Sequence, residues 1–228
     1  MGSHKTADEV KKQHVEKMGN DLGSLFHALW NEVAWLYLKW DEYVELFGTK
    51  PSRIELLNKS APLFFRTVQD SLWADTLLHI ARLTDPPKSA GKSNLTIQSL
   101  SGLVNKQLEP NVSNLTKIAL EETAFCRDWR NRRIAHRDLK LTMGEGAKPL
   151  EPASHAMVKD ALKGIAAVLN AISEYYLDST IMFGVIKEPY GAVSLLYVLD
   201  DGLQAESERR NRIKSGEYRQ DDLKTRDL

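Results

Sequence analysis

Apolar residues recur every three or four positions along most of the chain, the period of helices that pack by one face. Between about Asp21 and Phe47, one stripe runs through Phe26, Trp30, Val33, Tyr37, Trp40, Val44 and Phe47. A second (Leu22, Leu29, Leu36, Tyr43) lies beside it. A face this wide predicts a helix central to a bundle or packed on another subunit, ended by Gly48. Pro51 opens a short helical segment to about Asn58, and Ser60 before Pro62 reads as the N-cap of a long helix to about Leu83 with Phe65, Val68, Leu72, Trp73, Leu77 and Ile80 inward. Asp85-Pro86-Pro87 stops it, and Lys88 to Asn94 reads as a polar, mobile loop.

Leu95 to Leu108 holds room for another short helix. Asn111 or Ser113 then caps a helix with the inward stripe Leu115, Ile118, Phe125 and Trp129. Met143 to Pro152 is a loop, and Ala153 to Leu177 an amphipathic helix on Met157, Ala161, Ile165, Val168, Leu169, Ile172 and Tyr176. Thr180 to Ile186 suits a short strand or an extended connector; Ala192 to about Arg212 reads as a last helix. No alternating sheet period and no internal repeat occur. The fold expected is all-α, an antiparallel helical bundle with short extra helices. It divides into a charged N-terminal extension (1–20), a helical domain (21–205) and a charged tail (206–228) that frays into partial disorder.

Length and composition add bounds. At 228 residues with 42% hydrophobic content the chain supports a sizeable core. Lys plus Arg and Asp plus Glu are 31 each, so global charge names no partner. Cys126 is the only cysteine, which rules out an internal disulfide and thiol metal clusters. The N-terminus lacks a signal-peptide pattern and charged residues interrupt every apolar stretch, so a soluble cytoplasmic protein without a membrane partner is the expectation. Met1-Gly2-Ser3-His4 has the look of a vector remnant.

Charge is concentrated locally. From Arg127 to Lys140 six basic residues (Arg127, Arg130, Arg132, Arg133, Arg137, Lys140) face two acids, Asp128 and Asp138, a net +4. Inside this run stand Arg130, Asn131 and His136. Arg carries a permanent charge and forks onto phosphate oxygens; His exchanges a proton near neutral pH. Together they form a minimal kit for cutting a phosphodiester without a metal. On an ideal helix Arg130 and His136 stand roughly 120° and about 9 Å apart. They meet only if the helix frays or kinks near Ala135, or if two copies of the chain build one composite site. The plainer reading is a solvated basic helix end, suited to the negative end of the helix dipole.

The segment Arg130-Asn131, five residues in all between the Arg and His136, resembles the defining motif of the HEPN superfamily. Ser71-Leu72-Trp73-Ala74-Asp75 through Arg82-Leu83-Thr84-Asp85, followed by a polar loop and Asn94-Leu95-Thr96, is similar to the abortive-infection AbiU-type (AbiU2-like) subgroup, and the resemblance spans roughly Asp21 to Leu177. It implies a HEPN-type helical bundle and a metal-independent endoribonuclease of toxin or phage-defence type. It further implies that His136 moves protons, Arg130 holds the scissile phosphate and Asn131 orients them. Some members carry a Tyr two residues after the His, a target for neutralising modification; Asp138 stands there instead.

The remaining basic residues, Arg127, Arg132, Arg133, Arg137 and Lys140, are assigned to RNA binding; for Arg132 and Arg133 the attraction is diffuse, so Lys should serve as well. Asp75, His79, Arg82 and Asp85 fall on one helix end, either as an internal salt-bridge network or as support beside the site. His4, His14, His27 and His155 have no partners at metal-ligand spacing, and no His-Glu-x-x-His occurs, so no metal site and no cofactor are expected. Gly91-Lys92-Ser93 and Ser101-Gly102 lack the rest of a phosphate loop. Of the five tryptophans (Trp30, Trp35, Trp40, Trp73, Trp129), Trp35 lies off the main seam, where it suits a partner face. The expected partners are RNA, a second copy of the chain as a homodimer, and an antitoxin protein. The alternatives are a non-catalytic HEPN module that binds RNA, a nucleotide or a partner protein, and a purely structural helical dimer.

Overall fold

The computed structural model describes residues 6–144, 146–184 and 191–224. Among these the fold is all-α: α1 (Ala7–Met18), α2 (Asn20–Phe47), α3 (Pro51–Ser60), α4 (Pro62–Leu83), α5 (Glu109–Glu122), α6 (Ala124–Trp129), α7 (Leu139–Met143), α8 (His155–Leu177) and α9 (Ala192–Ser215). The only strands among them are the two-residue β1 (Lys88–Ser89) and β2 (Lys92–Ser93). No helix among the described residues is long and apolar enough to cross a membrane. The chain forms two compact units: Met1–Asp41 with Ser71–Ile186, and Glu42–Asp70 with Lys187–Leu228.

In the first unit α2 buries Leu22, Phe26, Leu29, Val33, Leu36 and Trp40. That alternation of four and three residues combines the two stripes of the sequence into one seam. α8 supplies Val158, Ala161, Leu162, Ile165, Val168, Leu169 and Ile172, and packs along α5, whose inward residues are Val112, Thr116 and Ala119. Ile118, expected on the inward stripe, is exposed. The helix breaks at Thr123, so the phase that links Ile118 to Phe125 in an unbroken helix is lost.

Residues 7–18, expected within a charged extension, form a capped helix with His14 and Met18 buried. α1 folds back on α2 at Gly23, where a Cβ would meet the His14 carbonyl oxygen at 2.6 Å; only glycine lets the two backbones approach so closely. Beside this contact Asn31 Nδ2 lies 3.1 Å from His27 Nε2, and His27 Nδ1 lies 3.3 Å from His14 Nδ1. One set of tautomers satisfies the chain: Asn31 donates to His27 Nε2, and the His27 Nδ1–H donates to His14. Both imidazoles are then neutral.

Several boundaries differ from expectation. Ser60 ends α3 and donates its hydroxyl to the Leu57 carbonyl 3.0 Å away, so it does not cap α4. The segment Leu95 to Leu108 contains a short 3-10 turn at Ile97–Ser99, and α5 begins at Glu109, before Asn111. The Lys88–Asn94 stretch is a small hairpin turned by Ala90 and Gly91, both with positive φ, and Asn94 closes it by donating 2.7 Å to the Pro86 carbonyl. Residues 180–184 form no strand; Asn170 of α8 pins them by accepting from Ile181 N at 2.8 Å and donating to its carbonyl at 3.2 Å. The remainder of that segment, 185–186, lies outside the described residues, as do 1–5 (with His4) and 225–228.

In the second unit α3 packs on α9. The Glu42 carboxylate accepts the Ala192 N–H at 2.5 Å and so caps the positive end of α9. α9 runs on to Ser215, aided by Arg210–Glu206 at spacing four, and Arg212 then pairs with Asp222 at 2.7 Å.

The buried histidines give the fold a pH dependence. Burial lowers the pKa of His14, His27 and His79; the charge of His27 lowers that of His14 further, and Lys39 and Arg82 that of His79. The unfolded chain therefore binds more protons than the folded one below about pH 6.5, and stability present above that pH is lost as pH falls. Denaturant midpoints measured between pH 7.5 and pH 5 should fall with pH, and His14→Phe should flatten the slope; a midpoint independent of pH over that window would show that the histidines bind protons equally in the folded and unfolded states.

Candidate functional site

The motif sits where α6 meets the C-terminal end of α4. The last carbonyls of a helix lack intrahelical donors and carry its negative dipole end, so they attract cations and hydroxyls. Here Thr96 donates to the Leu83 carbonyl at 3.0 Å. The Thr84 carbonyl accepts from Gln98 Nε2 at 2.8 Å and from Arg127 Nη2 at 2.6 Å. Asp85, just past α4, accepts from Arg130: Nη1 lies 2.6 Å from each carboxylate oxygen. Arg130 Nε donates to Asn131 Oδ1 at 3.0 Å. Two of the three guanidinium nitrogens are thus held, and Nη2 has no hydrogen-bond partner among the described residues.

The helix does not continue in α form through the motif. Residues Arg130–Ile134 make a π-turn, closed by Ala135 N donating to the Arg130 carbonyl at 2.8 Å, and Asp138 N reaches back to the Arg132 carbonyl at 3.0 Å. Such wide turns concentrate at functional sites. The ideal-helix separation of Arg130 and His136 does not apply to this geometry, because each residue of the wider turn rotates less than in an α-helix. His136 follows the turn, is exposed, and has no hydrogen-bond or ion-pair partner among the described residues. Asp138 accepts the Leu141 N–H at 3.0 Å as N-cap of α7; that bond, with Arg132, holds its carboxyl below the usual range.

The basic residues divide into two groups. Arg127 is tied to Thr84, and its Nε lies 3.8 Å from Asp85 Oδ1. Arg132 is engaged through all three nitrogens: Nη1 donates to Asp128 at 3.3 Å and to the Pro149 carbonyl at 3.2 Å, Nη2 donates to the Lys148 carbonyl, and Nε lies 3.5 Å from Asp138. Diffuse attraction to RNA, the role expected for Arg132, does not fit a guanidinium enclosed in this way. Arg133, Arg137 and Lys140 are exposed. Arg133 lies 5.8 Å over the Trp129 ring, and the Trp129 indole N–H is fixed to the Glu151 carbonyl at 2.8 Å.

The helix-end cluster resolves differently from the internal network expected. Asp75 pairs with Lys39 of α2. His79 Nε2 lies 2.8 Å from Glu32 of α2, close in distance yet off the hydrogen-bond axis, and neither ring nitrogen makes a proper hydrogen bond. Arg82 is exposed. Only Asp85 of the four reaches the motif. The residues that sequence reasoning missed are Asp128 and Glu151, which brace Arg132 and Trp129: Glu151 N donates to Asp128 Oδ2 at 2.9 Å. The Asp128–Arg132 spacing of four was a usable signal; the Glu151 contact left none. No group of three or more His, Cys, Asp or Glu able to hold a metal ion occurs among the described residues.

The comparison with family models agrees with the resemblance and the helical frame. The HEPN family model described as AbiU2 matches residues 19–194, most of the chain. The chain belongs to the HEPN AbiU2 family. No curated protein and no solved structure matches it. The match takes in α2 through α8, so it includes both Asp85 and the Arg130–His136 segment of this AbiU2 protein.

The enclosure of Arg132 reverses the expectation that Lys would serve there. Lys cannot reach both carboxylates and both carbonyls; the Lys148 and Pro149 carbonyls are exposed and can turn to water, so the loss falls mainly on the part-buried Asp128 carboxylate, at about 1–3 kcal/mol. Arg132→Lys should lower the melting temperature by about 2–8 °C, whereas Arg133→Lys should stay within about 2 °C of wild type. An Arg132→Lys protein that melts with the wild type would show that the network contributes nothing.

Proposed function

We propose that the protein is a metal-independent endoribonuclease of toxin or phage-defence type, with Arg130, Asn131 and His136 at its site. The observation that carries this reading is the mounting of Arg130. Asp85 and Asn131 hold Nη1 and Nε, which leaves Nη2 to donate to a phosphate oxygen from a fixed position. In the reaction, the ribose 2′-OH attacks the adjacent phosphorus while a base takes its proton. The P–O bond to the next nucleotide breaks, and an acid protonates the leaving 5′ oxygen. His136 supplies proton transfer, and Arg130 stabilises the charge that develops on the phosphoryl oxygens. Asp85 acts as a positioning residue.

One imidazole in a single protonation state serves as base or acid, not both at once, so a homodimer that pools two His136 residues completes the chemistry. Trp35, 58% exposed on α2, supports a partner face in the first unit. The observation favouring the alternative, a non-catalytic module that binds RNA, a nucleotide or an antitoxin protein, is that nothing among the described residues orients His136. A cytoplasmic location suits either reading.

His136→Ala should lower RNA cleavage about 10²- to 10⁴-fold in EDTA without loss of helical signal. Arg130→Lys should fall at least tenfold, because a point charge cannot hold Asp85, Asn131 and phosphate together. Equal activity of the His136 variant would remove it from the mechanism, and activity that disappears in EDTA would point to a metal.

Light scattering of the purified chain at micromolar concentration should give the mass of a dimer. A strict monomer that still cleaves RNA would contradict the pooled site.

A further inference from the structure

We infer that Arg133 and Arg137 form a second phosphate-binding subsite, distinct from the Arg130 mount, that takes an RNA phosphate; this rests on the reading of the chain as an RNA-acting protein. A cavity of about 250 Å³ is lined by Arg132, Arg133, Arg137, Leu141 and Thr142. Arg132 is its fixed wall, since its three nitrogens are already engaged. The two acids nearest this wall are also committed. Asp128 faces Arg132 and the Glu151 N–H, and Asp138 faces Arg132 and the Leu141 N–H. The Thr142 hydroxyl hydrogen is given to the Asp138 carbonyl at 2.8 Å. The donors left to the cavity are therefore those of Arg133 and Arg137, which have no carboxylate partner among the described residues.

Arg133 is set up for this role. Its guanidinium carbon lies over the Trp129 ring, 5.8 Å from the centroid, and Trp129 is itself anchored to Glu151. A cation–π attraction of this kind consumes none of the guanidinium N–H groups, which stay open to an acceptor. A cavity that offers only cationic donors selects an anion with several acceptor oxygens, and phosphate meets that need. Arg133 and Arg137 flank His136 in sequence, three residues before it and one after. A phosphate held by both arginines places the linkage next to it within the same stretch of chain as the imidazole.

The test reads binding in the His136→Ala protein, so that it does not depend on cleavage. Fluorescence anisotropy would follow a short single-stranded RNA, labelled at its 3′ end and carrying either a 5′-hydroxyl or a 5′-phosphate, over a range of salt. Arg133→Gln and Arg137→Gln should each reduce the slope of log affinity against log salt by about 0.7, and together by about 1.4. Lys106→Gln, an exposed lysine away from the cavity, should leave the slope unchanged. A wild-type preference for the 5′-phosphate that the double variant loses assigns the subsite to a terminal phosphate; equal weakening on both RNAs assigns it to a backbone phosphate. The inference is overturned if the folded double variant keeps the parent slope and affinity, if Lys106→Gln lowers the slope as much, or if the protein does not bind RNA. A protein that binds through these arginines and never cleaves would overturn the nuclease reading alone.

Discussion

The grip of Arg130 on Asp85 joins two points 45 residues apart and fixes where the motif stands relative to the end of α4. The pair is mostly withdrawn from water, with side chains 24% and 19% exposed, so it lies nearer the buried than the surface class. Surface pairs contribute about 0–1 kcal/mol, whereas removing one partner of a buried pair costs about 3–5 kcal/mol because the other charge is left uncompensated. The partial exposure here places the cost between these limits. The arrangement also shapes chemistry. A guanidinium held on one edge by carboxylate and amide keeps its orientation; under the proposed function, its remaining donors would meet a phosphate without a search over rotamers.

Around that tie the structure separates arginines by task. Arg127 and Arg132 satisfy carbonyls and carboxylates of the surrounding loops, and Arg133 and Arg137 remain outward. The π-turn between Arg130 and Ile134 makes this separation possible. An α-helix would place residues four apart over one another; the extra residue in the turn re-aims the side chains that follow. The braces on either side, Asp138 as the cap of α7 and Asp128 with Glu151 N, hold the turn between α6 and the 148–151 loop.

The helices were legible because their seams are long and regular. Leu22, Phe26, Leu29, Val33 and Leu36 on α2, and Ile165, Val168, Leu169 and Ile172 on α8, read directly as buried faces. The family was legible from Arg130-Asn131 and His136 with the Ser71–Asp85 stretch, and the match over residues 19–194 agrees. What escaped has physical reasons. The break at Thr123 goes with its hydroxyl donating to the Ala119 carbonyl, and the π-turn goes with the long-range hold of Asp85 on Arg130; apolar periodicity records neither. The pairing of Asp75 with Lys39 and of His79 with Glu32 joins separate helices, whereas spacing rules see only one helix at a time. Arg132 looked like its neighbours in a basic run, and only the fold reveals which arginine is enclosed. Beyond Glu206 the described residues place the charge on α9 as far as Ser215, with the Arg210–Glu206 pair at spacing four and the Arg212–Asp222 contact.

The chemistry of the cut ends tests the central claim most directly. Wild-type protein incubated with RNA in EDTA, with the products read by mass spectrometry, should yield 2′,3′-cyclic phosphate and 5′-hydroxyl ends, since attack by the ribose hydroxyl leaves no other pair. Products with 3′-hydroxyl and 5′-phosphate ends, formed only when a divalent cation is added, would contradict an Arg130–His136 site that works by proton transfer.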